Sequence, residues 1–355
     1  MKYNRLGQTG LFVSEICLGT MTFSGQNFFG GVIGTLGQKE ATQLIARSLE
    51  ARVNFIDTAD VYSLGESERM TGIALKDVGV KRSDVVLATK VYGRMGSGPN
   101  DMGASRGHIM DSVRRSLERL QTDHIDLYQI HHSDTVTGVE ETMRALDDLV
   151  AEGLVRYVGV SNWEAWKIVK ANGLSEKRGW TRIETTQVYY SIAGRDLEQD
   201  IVPMMQDQNI GCLVWSPLAG GYLAGKYTPG GDGKAEPGRR ATFDFPPIDK
   251  DKADRIVVAM REVAKAHGVS VARVALAWVR QKPFVTSTII GAKTLAQLDD
   301  NLEAVTLTLS PEEMAKLDEV SADRAQYPHW MIKRNNATRV PTGEPVSAAR
   351  TVPKN

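Results

Sequence analysis

The sequence carries no net charge, because 43 lysines and arginines balance 43 aspartates and glutamates over 355 residues. A nucleic-acid binder usually shows a basic excess, so no nucleic-acid partner is expected, although a local basic pocket stays possible. Cysteine is scarce. Cys17 and Cys212 each sit in an apolar run, ICLG and GCLVW, and read as buried reduced thiols. No run approaches the roughly 18 apolar residues of a membrane span. The opening MKYNRLGQTG has no apolar h-region. The expectation is a cytoplasmic protein with no membrane partner. No tandem repeat recurs at a fixed period. No His/Cys/carboxylate set has zinc spacing, so no metal is expected. The dinucleotide fingerprint G-x-G-x-x-G does not follow the first strand pattern.

What the chain does contain is alternation. Short apolar runs rich in Val, Ile, Leu and Tyr predict strands over 15–20, 54–59, 85–90, 125–131, 155–161, 184–190, 211–217 and 286–292. Amphipathic patterns predict helices over 39–51, 106–120, 138–152, 162–172 and 200–208, with Asn162 as an N-cap. Strand–helix alternation implies parallel strands joined by right-handed crossovers. Eight such strands favour a closed (β/α)8 TIM barrel over an open doubly wound sheet, the rival whose fingerprint is missing. One barrel domain is expected over 1–340, with a loose tail over 341–355. Long Gly- and Pro-containing connections, 24–37 and 228–250, follow strand ends. A polar tail over 324–355 contains Tyr327-Pro328-His329-Trp330. Trp163, Trp166 and Trp278 are expected to pack between helices and barrel.

A barrel places its chemistry at the carboxyl ends of its strands. There stand Asp57, Lys90 and His131 on three consecutive strands, then Ser161-Asn162, Gln187, Trp215-Ser216-Pro217 and Gly291-Ala292-Lys293. Taken singly, Asp57 reads as a helix cap, Lys90 as a solvated strand end and His131 as a core histidine. Together on one mouth they read as a site. Tyr62 follows Asp57 by five residues and can reach the same mouth. A neighbouring ammonium favours the phenolate and is expected to lower the tyrosine pKa from about 10. Two other patterns are weaker. Gly220-x-x-x-x-Gly225-Lys226 resembles a phosphate-binding loop, but Tyr227 stands where Ser or Thr must hold Mg²⁺. His131 and His132 are adjacent, and adjacent strand residues point to opposite faces.

The ordered segments RLGQTGLFVSEICLGTMTF, NFIDTADVYSLGESE, LATK, IDLYQIHHSD, VRYVGVSNW, WSPLAGGYLAGKY and IIGAKTLAQLDDNL resemble the aldo-keto reductases from Tyr3 to Trp330. The resemblance implies an N-terminal β-hairpin cap, long loops at the C-terminal face, and NADPH-dependent reduction of a small-molecule aldehyde or ketone. It implies a catalytic set of Asp57, Tyr62, Lys90 and His131, with Tyr62 as proton donor, Lys90 and Asp57 tuning it and His131 orienting the carbonyl. Ser161, Asn162 and Gln187 match residues that grip a nicotinamide carboxamide, and Trp215 matches the ring stacked on nicotinamide. Ser216, Pro217, Leu218, Gly221, Leu223, Gly225 and Lys226 lie where the pyrophosphate is held. Gly291, Lys293, Gln297, Asp300 and Asn301 lie where the adenosine end is held, with Lys293 matching a 2′-phosphate partner of NADP(H). Gln297 stands where many relatives have Arg. In the family's C-terminal loop, Trp330 is a candidate pocket wall. The chain is also similar to the potassium-channel β subunits, many of which carry Asn at the position of His131, and this leaves a nicotinamide-sensing regulatory subunit as the alternative. A Schiff-base aldolase using Lys90 would leave Asn162 and Gln187 without a purpose. Self-association is left open.

Overall fold

The structure, a computed structural model, describes residues 1–24, 36–227, 240 and 243–337. Met1–Ser321 form one compact unit and Ala322–Asn355 a second. The connections 25–35, 228–239 and 241–242 and the tail 338–355 lie outside the described residues, and with them most of both long loops and the expected loose tail.

Eight parallel strands close into a barrel: β3 (Ile16–Gly19), β4 (Phe55–Asp57), β5 (Val86–Val91), β6 (Ile125–Ile130), β7 (Val155–Ser161), β8 (Ile183–Tyr189), β9 (Gly211–Trp215) and β10 (Val285–Ile290), with β10 paired to both β9 and β3. This is the expected (β/α)8 architecture. The helices α1 (Gln38–Glu50), α2 (Glu66–Val78), α3 (Arg106–Leu120), α4 (Val139–Ala151), α5 (Ala165–Arg178) and α6 (Ile201–Gln208) follow successive strands. Then come α7 (Lys250–His267), α8 (Val271–Arg280), α9 (Leu295–Leu302) and α10 (Pro311–Val320). The helices that follow strands β3 to β8 bury one side. In α1 the stripe is Ala41, Leu44, Ile45 and Ser48, and in α3 it is Ile109, Val113 and Leu120. Helix α3 starts at a Ser105 cap and α10 at a Ser310–Glu313 capping box.

Period-two alternation sorts the strand residues. Cys17, Phe55, Val86, Ala88, Leu127, Leu213 and Ile289 fill the barrel interior, and Leu6 and Val13 of the hairpin β1 (Tyr3–Arg5)–β2 (Phe12–Ser14) join them. The hairpin closes the end where strands begin. Asn4 bonds the Thr286 carbonyl, and Gly7 lies so close to Glu184 that a Cβ there would come within 2.3 Å of its carbonyl oxygen. Each fully buried large aliphatic side chain is worth about 1.5–3 kcal/mol, so this plug fixes the floor. The open end is the one where Asp57, Lys90 and Ser161 emerge.

Three expectations need correction. Asn162 does not cap a helix: its backbone is left-handed (φ 56°), and α5 begins three residues later with Glu164 as N-cap. That shift turns Trp166 outward, 62% exposed, while Trp163 and Trp278 are buried. The polar tail contains a helix, α11 (His329–Asn336), in the second unit, where Trp330 is 44% exposed and lies beside Tyr327. His131 and His132 do not face opposite ways, because β6 ends at Ile130, and beyond it their rings stack 4.7 Å apart and 5° from parallel. Both cysteines are buried and unpaired by disulfide. Among the described residues no helix is long and apolar enough to cross a membrane, and no group of three His, Cys, Asp or Glu could hold a metal ion.

Candidate active site

Inward alternation carries Asp57 and Lys90 to the top of the barrel on neighbouring strands, where both are buried. The Lys90 ammonium donates to Asp57 Oδ1, to the Thr58 carbonyl at 2.8 Å and to the Tyr62 hydroxyl at 3.3 Å. Its three protons are thereby aimed at three acceptors. Asp57 Oδ2 is held by Gln129 Nε2 and Gln187 Nε2, each at 3.0 Å, and Gln187 Nε2 also reaches Gln129 Oε1 at 3.1 Å. Burial alone opposes the Lys90 charge, but the Asp57 carboxylate and Tyr62 outweigh it and raise the lysine pKa. Lys90 is therefore a fixed cation.

Tyr62 reaches the mouth from the turn after β4. Its ring keeps some solvent exposure, while its hydroxyl is surrounded by protein. Burial pushes the phenol above its usual value, and Lys90 pulls it down only in part. This corrects the expectation of a lowered pKa. The ammonium acts in the expected direction, but the desolvation of a phenolate at this depth is larger. His131 lies edge-on to Tyr62, with ring centroids 5.7 Å apart. Part of its residue surface meets solvent, yet burial of the ring, then Lys90 and His132, hold its pKa well below the usual histidine value, and Nδ1 has no hydrogen-bond partner. A neutral imidazole beside a neutral phenol, backed by one cation, offers hydrogen-bond donors to a single oxygen atom.

The other strand ends surround this group. Asn162 Nδ2 donates to the His131 carbonyl at 3.0 Å and to Ser161 Oγ at 3.0 Å, and its Oδ1 accepts from Trp215 Nε1 at 3.1 Å. Ser161 Oγ donates to the Gln187 carbonyl. Ser161, Asn162, Gln187 and Trp215 are thus one connected set touching the Asp57 network. Trp215 stacks on Phe245, 8° from parallel, with Tyr189 tilted beside it. Tyr92 meets His132 edge-on, so the mouth is largely aromatic.

After β9 the chain turns sharply, with left-handed backbone at Ser216, Ala219, Gly220, Gly221 and Gly225. Ser216 Oγ accepts from the Gly220 N–H, and a Cβ on Gly221 would meet open space. Pro217 and Leu223 are buried, so they can offer only backbone to a ligand, whereas Leu218 is half-buried and Lys226 exposed. Beyond β10, Gly291 also faces open space, and its carbonyl accepts from Asn301 Nδ2. The Lys293 N–H donates to Gln297 Oε1, and Asp300 holds Ser270 and Arg273 with its two oxygens. Among the described residues, no atom beyond the chain neighbours lies within 4 Å of where a Cβ on Gly221 or Gly291 would stand.

Two residues escaped the sequence reading. Gln129 is an inward polar residue in line with Leu127, two before His131, and that parity was the available signal. Arg240 is buried beneath the turn, donating Nη1 to the Ala219 carbonyl, with Nε unpartnered and its guanidinium 5.7 Å from the Tyr222 ring. Its Nη2 is paired with Asp244 Oδ1 at 2.5 Å, and it had no strand-end position to mark it.

The chain matches the aldo/keto reductase family over residues 15–322. It is 38% identical over 328 residues to a Bacillus subtilis protein named uncharacterized oxidoreductase YrpG, covering 90% of this chain and 96% of that one. It is 35% identical over 328 residues to a probable voltage-gated potassium channel subunit beta of Oryza sativa, again covering 90% and 96%. It is 33% identical over 345 residues to versiconal hemiacetal acetate reductase of Aspergillus parasiticus, covering 92% and 99%. The chain therefore belongs to the aldo/keto reductase family, whose members generally use nicotinamide cofactors, and it is an oxidoreductase of the carbonyl-reducing kind.

Proposed function

We propose that this aldo/keto reductase reduces an aldehyde or ketone to the alcohol with NADPH, Tyr62 giving the proton to the carbonyl oxygen. The observation that carries the reading is the 3.3 Å contact between the Tyr62 hydroxyl and an ammonium already anchored on Asp57 and Thr58. When bound, the cofactor supplies the hydride to the carbonyl carbon. Everything else falls to side chains of this chain. A phenol kept protonated by burial has a proton to give at neutral pH. Lys90 then stands against the phenolate that remains. Neutral His131 donates a ring N–H to the same oxygen and orients it. Negative charge developing on that oxygen meets preorganised donors in a site of low dielectric.

Ser161, Asn162 and Gln187 are assigned to the carboxamide and Trp215 to the nicotinamide face. The turn Ser216, Pro217, Leu218, Gly221, Leu223, Gly225 and Lys226, with Arg240 beneath it, is assigned to the pyrophosphate. Gly291, Lys293, Gln297, Asp300 and Asn301 are assigned to the adenosine end, with the exposed Lys293 on the 2′-phosphate. Two buried reduced thiols suit the reducing cytoplasm. Steady-state oxidation of NADPH and NADH, run in parallel against a panel of aldehydes and ketones, tests the reading. Carbonyl-dependent turnover with NADPH supports it, and cofactor binding without turnover on any carbonyl overturns it. The latter result would favour a nicotinamide-sensing subunit. Similarity to the rice protein named as a channel β subunit supports that second reading.

A further inference from the structure

Tyr62 sits on a turn that does not hold itself. The three residues after it, Ser63, Leu64 and Gly65, have φ of 51°, 53° and 92°. Left-handed backbone at non-glycine residues is strained and persists only where the surroundings impose it. The surroundings here are on the outer face of the barrel, away from the substrate.

Arg119, near the end of α3, runs directly under the turn. A Cβ on Gly65 would lie 2.6 Å from Arg119 Cδ and 2.7 Å from its Nε, so the arginine stem fills the space a side chain would need. Helix α2 lies close enough to α3 for this because Gly72 faces the Leu120 carbonyl, where a Cβ would come within 2.6 Å. Arg119 Nε donates to Glu68 Oε2 at 2.7 Å, and Glu68 is fully buried. Its other oxygen accepts from Thr89 Oγ1 at 2.5 Å. Thr89 is the outward-facing residue next to Lys90. One ion pair therefore touches the turn that carries Tyr62 and the strand that carries Lys90. Asp60, two residues before Tyr62, is buried in the same layer with no well-aligned hydrogen-bond partner, and burial and the Glu68 charge raise its pKa.

We propose that Glu68 and Arg119 are positioning residues that fix the Tyr62 hydroxyl against the Lys90 ammonium. Neither touches the reacting atoms. They set a distance, and a misplacement of about 1 Å in such a geometry can cost about 10²-fold in rate. The inference rests on the assignment of Tyr62 as proton donor, so its test includes that residue.

The test is a double-mutant cycle on kcat between Arg119→Met and Tyr62→Phe, with KM and the NADPH dissociation constant measured alongside. Arg119→Met alone is expected to lower kcat by about tenfold or more, with both binding constants within about twofold. In the Tyr62→Phe background the same change is expected to cost less than about twofold, since no hydroxyl remains to be placed. Equal losses in both backgrounds, or no loss in the first, overturn the positioning role. Near wild-type turnover by Tyr62→Phe alone would instead overturn the proton-donor assignment. Should Arg119→Met fail to fold, the cycle is run with Arg119→Lys, which keeps Glu68 paired but cannot reproduce the stem under Gly65. The same two patterns of loss then decide the question.

Discussion

Gln187 Nε2 and Asp57 Oδ2 stand 3.0 Å apart, and the bond spans the full width of the barrel, since β8 lies opposite β4 in the closed strand order. With Gln129 at 3.0 Å on the same oxygen, it fixes the carboxylate that anchors Lys90. Gln187→Leu should lower stability by about 1–3 kcal/mol, the cost of leaving a buried acceptor short of a partner. Urea unfolding of the two proteins measures this, and an unchanged midpoint would mean that the carboxylate finds another donor.

The Asp57–Lys90 pair makes a second prediction. Lys90→Met strands a buried carboxylate and should destabilise by about 3–5 kcal/mol. Asp57→Asn with Lys90→Met removes both charges and should recover most of that loss without recovering reduction. Thermal unfolding and NADPH oxidation, measured on the single and double variants, separate the two effects. A double variant no more stable than Lys90→Met alone would contradict the pairing.

His131 carries a pH signature. Its folded pKa is depressed by burial and by Lys90, so the unfolded chain binds its proton first as pH falls. The histidine's contribution is therefore present above the unfolded value near 6.5 and is lost progressively below it. His131→Gln should remove that part of the dependence. Melting temperatures taken from pH 8 down to about 5 should show the wild type losing more than the variant, and parallel curves would contradict a neutral, buried imidazole.

The proposed contact of Lys293 with the 2′-phosphate makes a prediction about the coenzyme. Lys293→Met should weaken NADPH by about tenfold, as expected for losing one charge-assisted hydrogen bond, and leave NADH within about twofold. Fluorescence titration with each coenzyme reads this, and equal weakening of both would place Lys293 elsewhere.

Much of this was legible in the sequence, for physical reasons. Helix α3 and strand β7 have the bounds that periodicity gave them, Arg106–Leu120 and Val155–Ser161. Asp57 and Lys90 were visible because strand parity and strand ends are local properties. Other features needed the fold. Asn162 takes a left-handed backbone that no composition rule demands, and it exchanges a helix cap for bonds to His131 and Trp215. Arg119 meets Glu68 across 51 residues, a pairing that exists only after α2 and α3 pack. Tyr62 shows the limit most clearly. The sequence places a cation near it and so suggests an acidic phenol, but the depth of burial, which only the packed barrel sets, reverses the sign.

The central claim concerns that phenol, and the most direct measurement is single-turnover reduction by Tyr62→Phe, with NADPH affinity measured on the same protein. NADPH should bind within about twofold of wild type, and the reduction rate should fall by about 10²–10⁴-fold, the usual worth of a general acid. Reduction at close to the wild-type rate would contradict the assignment of Tyr62 as the proton donor.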